Sequence, residues 1–170
     1  MRYLRETWRV TDSAVWLAVI RIMTGWIFLH SGWGKVTDPG FAANLPKTLG
    51  YFASNNPHAW MVSLLQTVAI PNANLFARLF SWGELVVGLS LFFGVLSQVG
   101  LLGALAMNVT FYFAAGWTSP STSSLNLLMI VANVVMFAAF AGKVLSVDQF
   151  LYRRLPRLWP RLRRALPEAA

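Results

Sequence analysis

Four predominantly apolar runs, 14–33, 75–96, 99–117 and 125–141, decide what this 170-residue chain can fold into. Each comes close to the roughly 20 residues an α-helix needs to cross a hydrocarbon core of about 30 Å. Hydrophobic residues make up 56% and charged residues 12%, against about one quarter charged in a soluble domain, so the composition is that of a membrane protein. Eight Trp and twelve Phe fit aromatic anchors at the two membrane interfaces. The chain has no Cys, which removes disulfides, thiolate metal sites, iron–sulfur clusters and cysteine redox chemistry. Any electron transfer then needs another molecule. The expected fold is all-α, an integral membrane four-helix bundle, with an extra amphipathic helix in the first external loop and a basic amphipathic C-terminal tail.

The first run carries an unusual face. In IRIMTGWIFLHSGWGK, residues 20–35, Arg21, Gly25, Phe28, Gly32 and Lys35 fall at offsets of 0, 4, 7, 11 and 14, which is one side of a helix. An arginine, two glycines and a lysine suit lipid poorly, so this face is expected to meet protein or a polar cavity.

The flank 1–13 carries Arg2, Arg5 and Arg9 ahead of an apolar run, superficially like a secretory signal. The length of the run, the interruption at Arg21 and the lack of a small-x-small site argue against cleavage. Asp12 or Ser13 is placed to cap the first helix. Residues 36–73 form an external loop with prolines at 39, 46, 57 and 71. Within it, 59–70 read as a helix capped by Asn56 and opened by Pro57. Its twelve residues cover about 18 Å, too short to span, so it is expected at the interface or re-entrant, as a lid over the bundle. The tight connection at 95–98 predicts antiparallel packing of the second and third spans. On the fourth, Asn126, Ile130, Asn133, Phe137 and Phe140 form a polar-and-aromatic seam.

Seven of the 14 basic residues lie from Lys143 onward. This asymmetry predicts contact with an anionic membrane surface and no nucleic-acid partner. Pro156 and Pro160 break the tail into short helical turns along the headgroups, after a capping-box spacing from Ser146 to Gln149. The basic flanks place both termini in the cytoplasm. The domain plan is therefore a flank 1–13, a four-span domain 14–141 and a tail 142–170.

Glu84, well inside the second span, needs a proton, hydrogen bonds or a cation. Arg21 and Arg78 are the candidates, with Arg21 the expected partner across a depth difference of several ångströms. The pair either clamps two helices or lines a functional pocket. Gly25, Gly32 and Gly88 are read as packing residues, and Lys35 as snorkelling to the outer interface. His30 and His58 lack a metal-ligand spacing, and neither metal nor haem is expected. His30 retains a possible proton-donor role. Asn108, Asn126 and Asn133 are expected to hydrogen-bond across helices.

The order and spacing of these elements resemble the DoxX family, and more narrowly its DoxD-like branch. The resemblance is carried by R-x-x-x-G-x-x-F-x-x-x-G-x-x-K at 21–35, D-P-x-F at 38–41, G-E-x-x-x-G-x-x-L from Gly83, and A-G-K-x-L-S-x-D-x-x-L at 141–151. It covers residues 14–151. It implies a membrane subunit of a respiratory or sulfur-oxidising redox complex in a bacterial or archaeal cytoplasmic membrane, in some members of thiosulfate:quinone oxidoreductase, that depends on other subunits for its oxidation chemistry. The expected site is a quinone pocket in which Glu84, Arg21 and His30 act on protons, lined by Arg78, Trp26, Trp82, Asn108 and Asn133, with Trp33 and Phe111 near enough to flank a ring. A non-catalytic assembly subunit is the alternative. A small-solute transporter is weaker, since no inverted repeat or broken span is evident.

Overall fold

The computed structural model describes residues 12–149. The expected cytoplasmic flank and the headgroup-lying tail fall almost wholly outside the described residues. Among the described residues six α-helices follow one another: α1 (Asp12–Thr37), α2 (Phe41–Ser54), α3 (Ala59–Leu64), α4 (Ala73–Phe93), α5 (Ser97–Ala115) and α6 (Pro120–Ala138). Four of them, α1, α4, α5 and α6, are long and apolar enough to cross a membrane. This all-helical bundle is the architecture the apolar runs predict.

The charged face of α1 does turn inward. Arg21 and Phe28 are 0% and 4% exposed, and Gly25 and Gly32 are buried. A Cβ on Gly25 would overlap the backbone of Leu91 and Phe92, one on Gly32 the backbone of Glu84 and Leu85, and one on Gly88 the backbone of Leu29. The facing pairs 25/92, 29/88 and 32/85 define an antiparallel register in which α1 and α4 touch backbone to backbone. Small residues make that approach possible. Gly32→Ala is therefore expected to force the pair apart and to cost about 1–3 kcal/mol, read as a lowered unfolding midpoint in detergent; an unchanged midpoint would show that the helices separate freely.

The α4–α5 turn is as tight as its sequence suggests. Gly94 adopts φ 68°, and the Val95 N–H reaches back to the Ser90 carbonyl at 2.9 Å, the usual way a left-handed glycine closes a helix. The fourth span starts five residues earlier than the apolar run does. Ser119 Oγ accepts from the Thr122 N–H at 3.1 Å and Pro120 takes the first helical position, so the polar segment PSTSS is helix with a regular cap.

The external loop holds more helix than its prolines imply. An unforeseen α2 carries Pro46 inside it and buries Leu45, Leu49 and Ala53, one face at four-residue spacing. Pro46 and its neighbours Lys47 and Thr48 lie on the exposed side, where the missing N–H costs least. The helix expected at 59–70 is present. It starts at Ala59 with His58 as its cap, because Asn56 Oδ1 accepts the His58 N–H at 2.9 Å and forms a turn ahead of it. From Leu65 to Ala69 it widens into a π-turn. Asn56 Nδ2 donates to the carbonyls of Phe113 and Ala114 at 2.9 and 3.0 Å, and Trp117 Nε1 to that of Phe52 at 3.2 Å. These bonds fasten α2 and α3 over the far end of α5.

Two buried clusters result. One, at the loop end, packs Leu45, Leu49 and Ala53 against Met61, Leu65, Ala69, Ala77 and Ala114. The other fills the bundle with Phe28, Val87, Leu91, Leu101, Ala104, Met129 and Met136.

Candidate functional site

A cavity of about 370 Å³ lies at the loop end of the bundle, within the size range of small-molecule sites. All six helices contribute to its wall. Phe41, Leu45, Leu49 and Phe52 come from α2, Met61 and Leu64 from α3, and Leu65 and Ala69 from the π-turn. The spans add Ser31 and Lys35 of α1, Phe76, Phe80 and Glu84 of α4, Thr110 and Phe111 of α5, and Thr122 and Asn126 of α6. The wall is thus apolar and aromatic, with a few polar groups. A larger groove of about 610 Å³ runs outside α4 and α5, but Ser90 is the one polar side chain among its aliphatic and phenyl walls.

The charged part of the cavity wall is an ion pair between Lys35 Nζ and Glu84 Oε2. Glu84 is 2% exposed and Lys35 26%. Lys35 also donates to Ser31 Oγ at 2.7 Å and lies 6.0 Å from the centre of the Phe41 ring, the edge of cation–π range. The glycine register explains the pairing. Gly32 seats its own turn of α1 directly on Glu84 and Leu85, so Lys35, one turn further along, arrives beside the carboxylate. A buried carboxylate is tolerated here because a cation meets it.

This corrects the expected Arg21–Glu84 pair. In the α1–α4 register Arg21 stands opposite residue 96, twelve residues from Glu84, or about 18 Å along the axis, too far for an arginine to reach. Lys35 correspondingly turns inward to Glu84 and does not snorkel to the interface. α1 extends to Thr37, which keeps Lys35 on the buried helical face.

Several other expected pocket residues point elsewhere. Trp26, Trp33 and Trp82 are 53%, 62% and 56% exposed, and Arg78 is also exposed. These are outward positions on span helices. His30, likewise exposed, stacks on Trp26 at 6.2 Å, so it faces away from the cavity. Asn108 and Asn133 are buried but do not line the cavity, whereas Asn126 and Phe111 do. Asn108 and Asn126 bond to their own helices, donating to the carbonyls of Ala104 and Thr122 at 2.9 Å each, and not across to a neighbour. In the α6 seam, Asn126, Met129, Asn133 and Met136 are buried while Phe137 and Phe140 are 38% and 39% exposed.

The family described as TQO small subunit DoxD matches residues 16–162. The chain belongs to the DoxD family. No solved structure gives a significant match to it.

Arg21 in this DoxD protein belongs to a second polar cluster, at the terminal end of the bundle. Its Nη2 donates to the Leu145 carbonyl at 2.6 Å and its Nη1 to Ser97 Oγ at 3.4 Å, while Gly94 packs against the guanidinium. Asp148, 1% exposed, accepts the N–H groups of Leu96 and Ser97 at 2.7 Å each. It thereby caps the N-terminus of α5, where a negative charge is favoured. Its own N–H returns to the Gly94 carbonyl at 2.9 Å. The Ser146–Gln149 spacing supplies one half of a capping box, the Gln149 N–H donating to Ser146 Oγ at 3.1 Å. Leu96, Phe140 and Leu145 all sit at φ near 50°, a conformation that side-chain-bearing residues hold only when their surroundings fix it.

Arg21, Ser97 and Asp148 thus form a clasp that closes residues 141–149 of the DoxD chain onto α1 and the α4–α5 turn. Sequence reasoning missed the roles of Asp148 and Lys35, and it left Phe41, Phe80 and Asn126 of the cavity wall out of the expected pocket. The glycines already held the signal for Lys35, since Gly32 and Gly88 fix a register that sets it beside Glu84. For Asp148 no local signal exists, because its partners lie about fifty residues earlier in the chain.

Proposed function

We propose that this DoxD-family chain is the quinone-contacting membrane subunit of a thiosulfate:quinone oxidoreductase-like complex, working with other subunits that supply the electrons. One observation carries the reading: a cavity of about 370 Å³ with aromatic and aliphatic walls and a single ion pair, Lys35–Glu84, on its surface. A quinone is a flat apolar ring with two oxygen acceptors, and such walls fit it. Phe41, Phe80 and Phe111 would hold the ring, and Lys35 Nζ offers the N–H that orients an oxygen. A bound quinone brings the two-electron, two-proton couple. The chain's own part is to exclude water with α2 and α3, to pass a proton through the Lys35–Glu84 pair, and to keep the charges of the pair balanced between events.

The pairing of Lys35 with Glu84 leaves the wall with no net charge, which favours a neutral ligand over a sulfur oxyanion. The donor reaction then belongs on another chain. The basic flanks support cytoplasmic termini and a bacterial or archaeal cytoplasmic membrane, which puts the cavity toward the outer face and the basic tail against anionic headgroups.

Glu84→Gln in the purified complex is expected to keep its subunits together and to lower quinone-linked turnover by about 10²-fold or more, the scale of a positioned proton-transfer group. Turnover equal to the parent would remove Glu84 from the chemistry. Stable partner chains together with no bound or exchangeable quinone would favour the assembly-subunit alternative.

A further inference from the structure

Asn133 is completely enclosed, at 0% exposure, yet neither its Nδ2 nor its Oδ1 meets a hydrogen-bonding partner among the described residues. Its two counterparts in the spans do not share this state. Asn108 and Asn126 each donate to the carbonyl four residues back. The Met129 carbonyl stands in the same relation to Asn133, and the Asn133 side chain forgoes it. An amide shut away from water with both groups unpaired is strongly unfavourable, and native interiors almost always satisfy such groups with protein or internal water.

The helix register shows where this amide sits. Gly116 lies against Ser123, and Gly142 against Ser97, so α5 and α6 run antiparallel with Asn133 opposite residue 106. Gly83 on α4 packs on Met107, and Glu84 is the next residue. Glu84 and Asn133 are therefore within about one helical turn of the same depth, both buried, on different helices. Asn133 is not part of the cavity wall, and it lies between Met129 and Met136 in the bundle core.

We propose that Asn133 anchors an internal water at the depth of Glu84, donating to it from Nδ2 and accepting from it at Oδ1. Two protein contacts are within the usual number for a buried water. The water satisfies both groups of an amide that the surrounding side chains leave unpaired. The site does not rest on the quinone reading above.

X-ray radiolysis of the purified protein in ¹⁸O-water tests the site, because radicals formed from a bound internal water oxidise the side chains touching it. Met136, 0% exposed, is expected to gain an ¹⁸O-labelled sulfoxide, and Asn133→Leu is expected to abolish that label. An unlabelled Met136 in the parent overturns the proposal without any variant, as does a label that persists in a folded Asn133→Leu protein.

Discussion

Lys35→Met is expected to destabilise the bundle by about 3 kcal/mol or more, and Lys35→Met combined with Glu84→Met to recover most of that loss. The single variant strands a carboxylate that is 2% exposed with no counter-charge, and also removes the donor to Ser31. A buried ion pair as a unit is worth little against two well-packed apolar side chains, whereas half of one is costly. The same asymmetry predicts that Glu84→Met alone costs less than Lys35→Met alone, because Lys35 is 26% exposed and can turn its ammonium toward water. Equilibrium unfolding in mixed micelles of the parent, both single variants and the double variant yields the coupling directly. If the double variant is as unstable as Lys35→Met, the two side chains act separately and the pair does not organise the cavity wall.

The second large effect lies at the opposite end. Asp148→Ala is expected to cost about 3 kcal/mol, since a carboxylate hydrogen bond is worth roughly 1.5–3 kcal/mol and Asp148 makes two, to Leu96 and Ser97. Those N–H groups open α5, and with the acceptor gone they lose their partner. The strained backbone at Leu96 and Leu145 then loses what holds it. Asp148→Asn keeps one acceptor oxygen and should fall between the parent and Asp148→Ala. Thermal unfolding of the three proteins checks the ordering. Equal midpoints would mean that α5 is capped by some other group.

These two sites show what the sequence made legible. Runs of hydrophobicity set the four spans to within a few residues, and the helical offsets of Arg21, Gly25, Phe28, Gly32 and Lys35 correctly marked a protein-facing side. What those offsets do not contain is depth across helices. Arg21 and Lys35 occupy the same face, and choosing which of them meets Glu84 needs the α1–α4 register, which the three packing glycines set. The α2 helix was hidden because Pro46 reads as a breaker, although this exposed proline in the second turn is tolerated because Leu45 and Leu49 find a buried surface. Polarity alone likewise cannot separate Asn126, on the cavity wall, from Asn133, sealed in the core, since seven residues return a side chain to the same face two turns away. Trp26 and Trp82 illustrate the opposite limit: an aromatic residue in a span is as well suited to lipid as to a ligand.

The clasp also bears on how the protein is made. Ser97 leaves the ribosome 76 residues after Arg21, and Leu145 124 residues after it. At roughly 5–20 residues per second, the guanidinium waits on the order of 6–25 s for its last acceptor. During synthesis the first helix therefore holds a charge with no final partner, a state better suited to an insertion machinery or the aqueous edge of the membrane than to the bilayer interior. The span carrying Arg21 is thus among the last to be locked, and a chain truncated before Leu145 would enter the membrane with that guanidinium lacking its carbonyl acceptor.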